Sequence, residues 1–309
     1  MSTPEVSVIV PVLNGAATIG DQLAALARQT DATDRRVPEF EVLVCDNGST
    51  DGTRARVAQF ADQFAALRVL DASDRRGAAH ARNVGILAAR GRVVAFCDAD
   101  DVVADDWVAS MARFVGPGSI VTGWLDFARL NGPLGGGLEK DLVEVAGHLP
   151  GIASGNVALE REAALAVGGF DESYRYAVED IDFGWRAQHH GLTLTREPAV
   201  VSVRLRADDA SAFRQHRTWG RGNIMLRQRH RERLGNVMSA RYSAKALVTT
   251  YARLPLRWLT ASRAGRRALA SAAGTTLGEF EGHVIFRLLG RMPAPLLIGP
   301  ASQTSAGPS

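Results

Sequence analysis

The sequence is poor in cysteine and in long apolar runs. Cys45 and Cys97 are the two cysteines among 309 residues, and they form no CxxC pattern and no disulfide framework, which is typical of a reducing compartment. No stretch of about 18 uninterrupted apolar residues occurs, and the polar N-terminus does not resemble a signal peptide. These absences predict a cytoplasmic protein without a transmembrane helix. The hydrophobic content of 46% predicts a globular chain with a sizeable core.

Two nucleotide-binding fingerprints are also missing. The turn after the first apolar run reads Pro11-Val12-Leu13-Asn14-Gly15, where a dinucleotide-binding dehydrogenase has GxGxxG. The phosphate-loop pattern GxxxxGK[ST] is absent, and neither of the two lysines, Lys140 and Lys245, lies near a first strand. We therefore exclude a dinucleotide-binding dehydrogenase and a phosphate-loop NTPase.

The first hundred residues alternate between short apolar runs and amphipathic segments. Runs at 6–13, 41–45, 67–70 and 93–97 are predicted to be buried strands, each followed by a helix or a turn-rich loop. Such alternation predicts an α/β fold whose parallel sheet has helices on both faces. The length fits one large domain, or one domain with an appendage.

Polar side chains follow three of these strands at the point where each strand ends. Asn14, Asp46 and Asp98 all fall at carboxyl ends, where parallel sheets bind their ligands. Asp98 and Asp100 lie on the same side of an extended segment, and two such carboxylates suit a hard divalent ion, Mg²⁺ or Mn²⁺. The alternative is a solvated acidic turn that caps the next helix.

Four ordered segments carry a resemblance to a known family. They read VSVIVPVLNGAATI, EVLVCDNGSTDGT, GAAHARNVGILAARGRVVAFCDADD and GGFDESYRYAVEDIDFGWRAQHHG. Together they resemble family 2 glycosyltransferases of the GT-A fold, over roughly residues 5–225. The resemblance implies a Rossmann-like, mostly parallel sheet flanked by helices. It implies a catalytic domain at 1–225, with a donor half at 1–101 and an acceptor half at 102–225.

The resemblance implies that a nucleotide-diphosphate sugar lies across the strand ends. Pro11 and Asn14 would border the nucleotide, Asp46 and Asn47 would contact the base or ribose, and Arg82 would meet the diphosphate. A surface helix arginine is the alternative for Arg82.

Two departures from the family pattern leave the base open. Many relatives carry an aromatic residue in place of Leu13, and many carry a second aspartate in place of Asn47. An asparagine both donates and accepts hydrogen bonds, whereas a carboxylate only accepts.

The resemblance also implies the chemistry. Asp100 of the DxD motif would be the direct ligand of Mn²⁺ or Mg²⁺, and Asp98 would hold the ribose or a metal-bound water. Asp180 would be the base that takes a proton from the acceptor hydroxyl, beside Glu179. One base and no enzyme nucleophile imply a single displacement with inversion. The alternative for the acidic pair is a simple helix cap.

The remaining predictions concern the sugars and the C-terminal part. Asn156, Glu179 and Trp219 are predicted to lie next to the donor sugar or the acceptor. Between residues 204 and 267 there are sixteen Lys/Arg and three Asp/Glu, a net charge of +13, which indicates an anionic partner. Residues 226–298 are predicted to form a basic amphipathic helical extension that lies on an anionic membrane, or a helical hairpin packed on the catalytic domain. Residues 299–309 are predicted to be a disordered tail.

The resemblance therefore implies a metal-dependent, inverting glycosyltransferase. It would extend a cell-surface glycan or a lipid-linked acceptor, in the cytoplasm and peripherally at the inner face of the plasma membrane. The QxxRW motif of processive synthases is absent, which argues against a polymerase. The alternative is a non-catalytic nucleotide-sugar-binding homologue. A nucleic-acid partner is not expected, because no RNA- or DNA-binding motif accompanies the basic region.

Overall fold

The structure is a computed structural model that describes residues 3–30, 37–132, 135–175, 177–205, 208–234 and 238–299. Its first part alternates strands and helices as the sequence predicts. The elements are β1 (Val6–Val12), α1 (Ile19–Ala27), β2 (Phe40–Asp46), α2 (Thr53–Ala58), β3 (Leu67–Asp71), α3 (Ala78–Ala88) and β4 (Val93–Cys97). The order β3-β2-β1-β4 is parallel throughout. Helices cover both faces, and β1 and β4 are buried along their whole length.

The second part of the sheet is mixed. Its elements are β5 (Val102–Val103), α4 (Trp107–Phe114), β6 (Ser119–Asp126), β7 (Leu138–Glu139), β8 (Asn156–Glu160), α5 (Arg161–Ala166), α6 (Glu179–His189) and β9 (Thr193–Ser202). The sheet continues from β4 in the order β8-β6-β9-β5, and β8 is antiparallel to both β4 and β6. The α/β fold class is therefore confirmed, with parallel pairing concentrated in the first half.

The direction of β8 matters for the site. Asn156, its first residue, pairs with Cys97, the last residue of β4. The loop just before β8 is thereby brought to the edge of the sheet where the carboxylates after β4 emerge. A parallel strand in this position would carry that loop to the opposite edge.

The C-terminal part is helical. It contains α7 (Asp209–Arg229), α8 (Arg231–Leu234), α9 (Ala240–Thr260) and α10 (Arg263–Gly282), followed by a wider helical turn at His283–Leu288. Asp208, Ser239 and Ser262 cap α7, α9 and α10 through hydrogen bonds that their side chains accept. Within the described residues, no helix combines the length and the apolarity needed to cross a membrane.

Helix α10 packs closely on α7 through glycines. A Cβ atom at Gly278 would lie 2.0 Å from the carbonyl oxygen of Arg217, and one at Gly220 would lie 2.4 Å from that of Thr275. Glu281 of α10 also pairs with Arg217 and Arg221 of α7. Of the two alternatives for residues 226–298, α10 therefore fits the helix that packs on the rest of the protein.

The predicted divisions of the chain remain predictions. The boundary at residue 225 falls inside α7, which continues to Arg229. The predicted disordered tail lies outside the described residues from 300 onward.

Candidate active site

A cavity of about 490 Å³ opens at the carboxyl ends of β1, β2 and β4. We call it the strand-end cavity. It brings together six of the residues predicted to bind the donor or the metal, namely Pro11, Asn14, Asn47, Arg82, Asp98 and Asp100. Leu13, where many relatives have an aromatic residue, also lines it and is half exposed. The strand ends therefore converge as the alternation of strands and helices predicts.

Arg82 connects two acidic motifs that are distant in the sequence. One guanidinium nitrogen donates to Asp98 Oδ1 at 2.8 Å and another donates to Glu179 Oε1 at 3.0 Å. The side chain is only 5% exposed, so the surface-arginine alternative is wrong. Its Nε has no hydrogen-bond partner among the described residues, and its guanidinium lies 5.4 Å from the centre of the Phe170 ring. The pair Arg82–Glu179 fixes the start of α6 against the DxD segment.

Asp46 does not line the strand-end cavity. It is fully buried, where Ser49 N donates to Oδ1 at 2.8 Å and Arg54 Nε donates to Oδ2. Burial opposes ionisation, but the hydrogen bonds from Arg54 and Ser49 outweigh it and hold the pKa of Asp46 below its usual value. The observed role of Asp46 is therefore to fix the loop after β2.

Asn47 lines the cavity, but its side chain is largely engaged within the protein. The amide nitrogen donates to Ala72 O at 2.5 Å and to Arg75 O at 2.7 Å, and Oδ1 accepts from Gly77 N at 2.8 Å. Asn47 thus holds the loop that leads into α3. Its contact with the base or ribose remains a prediction.

The carboxylates after β4 fit a metal ion only in part. Among the described residues, no group of three or more His, Cys, Asp and Glu side chains is placed to hold a metal. Asp98 and Asp100 nevertheless line the same cavity. Mg²⁺ is commonly held by one or two carboxylates, with substrate phosphates and water completing the coordination. Asp98 and Asp100 therefore suit a divalent ion that is also coordinated by a diphosphate. They do not suit a site in which the protein supplies all of the metal ligands.

Glu179 and Asp180 begin α6 from a strained turn. Val178, the residue before them, has a φ of +63°, which is rare for a β-branched residue. The carboxylate of Asp180 accepts from Ile181 N at 2.9 Å and from Ser154 N at 3.4 Å. Burial, together with the nearby charge of Glu179, raises the pKa of Asp180 to about 7, although Arg82 opposes the shift. A carboxyl with a pKa near neutrality is suited to general-base catalysis.

A second cavity, of about 510 Å³, lies between the sheet edge and α7, and we call it the α7 cavity. It shares Asp98, Asp100 and Arg204 with the strand-end cavity, and Asp180 lines it. Trp219 of α7 also lines it, 43% exposed. The predicted base and the predicted metal ligands therefore border one continuous site.

One predicted sugar contact is wrong. Asn156 is fully buried: its Oδ1 accepts from Trp107 Nε1 at 2.8 Å, and its amide nitrogen donates to Trp124 O and Ala199 O. It lines neither the strand-end cavity nor the α7 cavity. The neighbouring Gly155 is the residue of this loop that meets the site, because a Cβ there would lie 2.8 Å from Asp98 Oδ2.

Two arginines of the site, Arg204 and Arg76, were not among the residues predicted from the sequence. Arg204 lines both cavities, donates from Nε to Asp100 O at 3.0 Å and pairs with Asp21. Its backbone N–H donates to Asp101, whose pKa burial and the neighbouring Asp98 raise to about 8. Arg76 lines the strand-end cavity. The available signal for Arg204 was its place just after β9, the last strand.

Comparisons with known proteins give two family matches. Residues 7–133 match the family described as glycosyl transferase family 2, and residues 138–207 match the N-terminal domain of galactosyltransferase. The chain is 30% identical over 232 residues to a validoxylamine A glucosyltransferase of Streptomyces hygroscopicus subsp. jinggangensis, covering 62% of this chain and 53% of that protein.

Two further proteins are similar over different extents. The first is WfgD of Escherichia coli, a UDP-Glc:α-D-GlcNAc-diphosphoundecaprenol β-1,3-glucosyltransferase. It is 37% identical over 105 residues, which cover 34% of this chain and 37% of WfgD. The second is a mannosyltransferase from Pyrobaculum calidifontis, solved with GDP-Man and Mn²⁺. It superposes with a TM-score of 0.61 at 23% identity, covering 94% of this chain and 89% of that one.

The chain spans about half or less of the length of the first three curated relatives that it matches. The two family matches nevertheless follow each other across both halves of the sheet, and the structural likeness extends over nearly all of the chain. The α/β architecture is that of the GT-A glycosyltransferases, and residues 7–133 match glycosyl transferase family 2.

Proposed function

We propose that this protein is an inverting, metal-dependent glycosyltransferase that moves a sugar from a nucleotide-diphosphate sugar to an acceptor hydroxyl. The observation that carries the proposal is the pair of ion bonds from Arg82 to Asp98 and Glu179. They hold the DxD segment and the start of α6 together, so that Asp180 faces a cavity that Asp98 and Asp100 also line.

The donor occupies the strand-end cavity in this proposal. Pro11 and Asn14 border the nucleotide, and Arg76 and Arg82 supply positive charge near the diphosphate. Asp100, with Asp98 beside it, would hold Mn²⁺ or Mg²⁺, which would offset the charge of the leaving diphosphate. The similar fold of the Pyrobaculum mannosyltransferase, whose structure contains GDP-Man and Mn²⁺, supports a nucleotide-diphosphate sugar and a divalent ion as the bound molecules.

Asp180 acts as the base. Its carboxylate, with a pKa near 7, takes the proton of the acceptor hydroxyl as that oxygen attacks the anomeric carbon. The bond from the anomeric carbon to the diphosphate oxygen breaks as the new glycosidic bond forms on the opposite face, which inverts the configuration. Glu179 supports the base indirectly, since its charge helps to raise the pKa of Asp180.

The acceptor lies in the α7 cavity, with its sugar against the exposed face of Trp219. The relative WfgD acts on a diphosphoundecaprenol-linked sugar. Because of this similarity, we propose a lipid-linked or glycan acceptor for this protein.

Helix α9 supplies a surface for the membrane on which such an acceptor resides. Val248, Leu256 and Leu259 are 67%, 73% and 79% exposed on its outer face. The sequence from 233 to 278 contains eight basic residues and no acidic one. Exposed apolar side chains among basic ones are typical of helices that rest on anionic lipid. We propose that α9 holds the enzyme peripherally at the inner face of the plasma membrane.

The test of the proposal is Asp180→Asn. Asparagine is nearly isosteric and its carbonyl oxygen keeps the shorter backbone contact, from Ile181 N, but it does not take a proton from a hydroxyl at neutral pH. Transfer is expected to fall by about 10²- to 10⁴-fold, while donor affinity stays within a few fold. Asp209→Asn, in the first turn of α7, is the matched control and should transfer normally.

The donor for this assay is found by a thermal-shift screen of nucleotide sugars with Mn²⁺. A ligand at 100 times its Kd stabilises a protein by about 2.7 kcal/mol. Near-normal transfer by Asp180→Asn would remove Asp180 as the base. Donor binding without any transfer by the wild type would favour the non-catalytic homologue.

A further inference from the structure

The α7 cavity contains a cation that the proposed mechanism does not use. Arg267 of α10 lines this cavity and is partly buried. Among the described residues it forms no hydrogen bond and no ion pair, unlike Arg82 and Arg204, whose guanidinium groups are engaged. A partly buried arginine that forms no ion pair is able to bind an anionic ligand, although Asp98, Asp100 and Asp180 also line the cavity.

The position of Arg267 is fixed by the packing of α10. Arg267, Ser271, Gly274 and Gly278 follow each other at intervals of four, three and four residues, so they lie on one face of the helix. That face meets α7, since a Cβ at Gly274 would lie 2.4 Å from Phe213 O. Ser271 lines the same cavity. The contact that seats α10 therefore also aims Arg267 at the cavity.

The neighbours of Arg267 on α7 are suited to a sugar. His216 and Trp219 line the cavity with ring centres 4.7 Å apart, and Thr275 Oγ1 lies 3.3 Å from His216 Nδ1. Burial, and then the charge of Arg267, lowers the pKa of His216, so that this ring is neutral at pH 7. An aromatic platform for a sugar thus lies in the same cavity as a cation for an anion.

We infer that Arg267 binds a phosphate group carried by the acceptor next to its sugar. This inference rests on the proposed function, because it assumes that the α7 cavity receives the acceptor. It narrows the acceptor class from any glycan to sugars esterified to phosphate, and it makes α10 part of the acceptor site. Arg267 is then a specificity-determining residue that is distant from the reacting atoms.

The test compares binding of hexose 1-phosphates with that of the matching methyl α-hexosides, measured by saturation-transfer NMR in the presence of a chelator. Arg267→Ala should weaken binding of the phosphates by about tenfold, the usual scale of a lost charge-assisted hydrogen bond. It should leave the neutral hexosides within about twofold, since Trp219 is untouched. Arg266→Ala, the exposed neighbour on α10, is the matched control and should change neither.

Arg76→Ala reports whether a sugar phosphate has entered the strand-end cavity instead. The inference would be overturned if hexose 1-phosphate binding were weakened by Arg76→Ala but not by Arg267→Ala, or if Arg266→Ala weakened it as much as Arg267→Ala. It would also be overturned if the wild type bound no hexose 1-phosphate. Donor binding is measured on the same variants by thermal shift with a nucleotide sugar and Mn²⁺. Its absence throughout would count against the proposed transferase and not against the anion site.

Discussion

Replacing Asn47 by aspartate separates a structural role of this residue from a ligand-binding one. Many relatives carry aspartate here, so a residue that served only the nucleotide should tolerate the change. In this protein the Asn47 amide nitrogen donates to Ala72 O and Arg75 O, and a carboxylate cannot donate to either. We therefore expect Asn47→Asp to destabilise the loop that carries Arg76.

The expected magnitude follows from those two bonds. The bond to Ala72 O is buried, and leaving a buried acceptor without a donor costs about 1–3 kcal/mol. The bond to Arg75 O is partly buried and adds less. Repulsion between the new carboxylate and the two carbonyl oxygens also lowers the free energy of unfolding. The sum is a loss of about 2–4 kcal/mol in the free energy of unfolding at pH 7.

Asn14→Asp is the matched control. Asn14 Oδ1 accepts from Thr50 N at 2.8 Å, and its amide nitrogen donates to no described residue. An aspartate keeps that acceptor and tolerates the φ of +53°. The change in stability should stay within about 0.5 kcal/mol.

The assay is urea unfolding of the wild type and both variants, with donor Kd measured in parallel. The deficit of Asn47→Asp should shrink as the pH falls, since a protonated carboxyl regains one donor. The new carboxyl therefore has a pKa raised by folding, and its penalty appears above the pKa of the unfolded chain. An Asn47→Asp variant as stable as the wild type, or one that binds the donor more tightly, would refute the structural role.

Three further outcomes are expected. The value of kcat/KM should fall below about pH 7, where Asp180 becomes protonated. Glu179→Gln should move this acidic limb of the pH–rate profile to lower pH, because it removes a charge that raises the pKa of Asp180. An unmoved limb would contradict the assignment of Asp180 as the base. Calorimetry should show that Asp100→Ala loses the Mn²⁺-dependent gain in donor affinity whereas Asp105→Ala keeps it, and equal metal dependence in both would remove Asp100 from the site. Exchanging Leu256 and Leu259 for serine should lower co-sedimentation with anionic vesicles by about tenfold or more at unchanged donor affinity, and unchanged sedimentation would leave α9 without a membrane role.

The parts of the site predicted correctly are those that depend on local pattern. Buried strands, helices and the turn residues between them are encoded over a few residues, and the carboxyl ends of parallel strands meet by geometry. Asn14 and Asp98 could therefore be assigned to one edge of the sheet. The same reasoning also located Asp180 at the first turn of α6.

The errors concern side chains whose direction depends on tertiary packing. Asn156 looked like a loop residue beside a glycine, yet it begins an antiparallel strand and turns inward to bind Trp107. Asp46 lies at a strand end as predicted, but it is fully buried, accepts a hydrogen bond from Arg54 and does not line the cavity. Neither partner is marked by any motif, so the sequence alone gave no reason to separate these residues from Asn14 and Asp98.

Arg82 shows most clearly why a local pattern does not determine a role. On α3 it occupies a position that fits a solvated helix face equally well, and its burial is explained only by Asp98, 16 residues away, and Glu179, 97 residues away. Burying one guanidinium is costly, but two carboxylates from separate halves of the chain compensate it through charge-assisted hydrogen bonds. Removing the arginine would leave both acids facing each other, so the three groups are stable only as a set. The donor side and the base side of the site are joined at this set, and neither half of the sequence contains all of it.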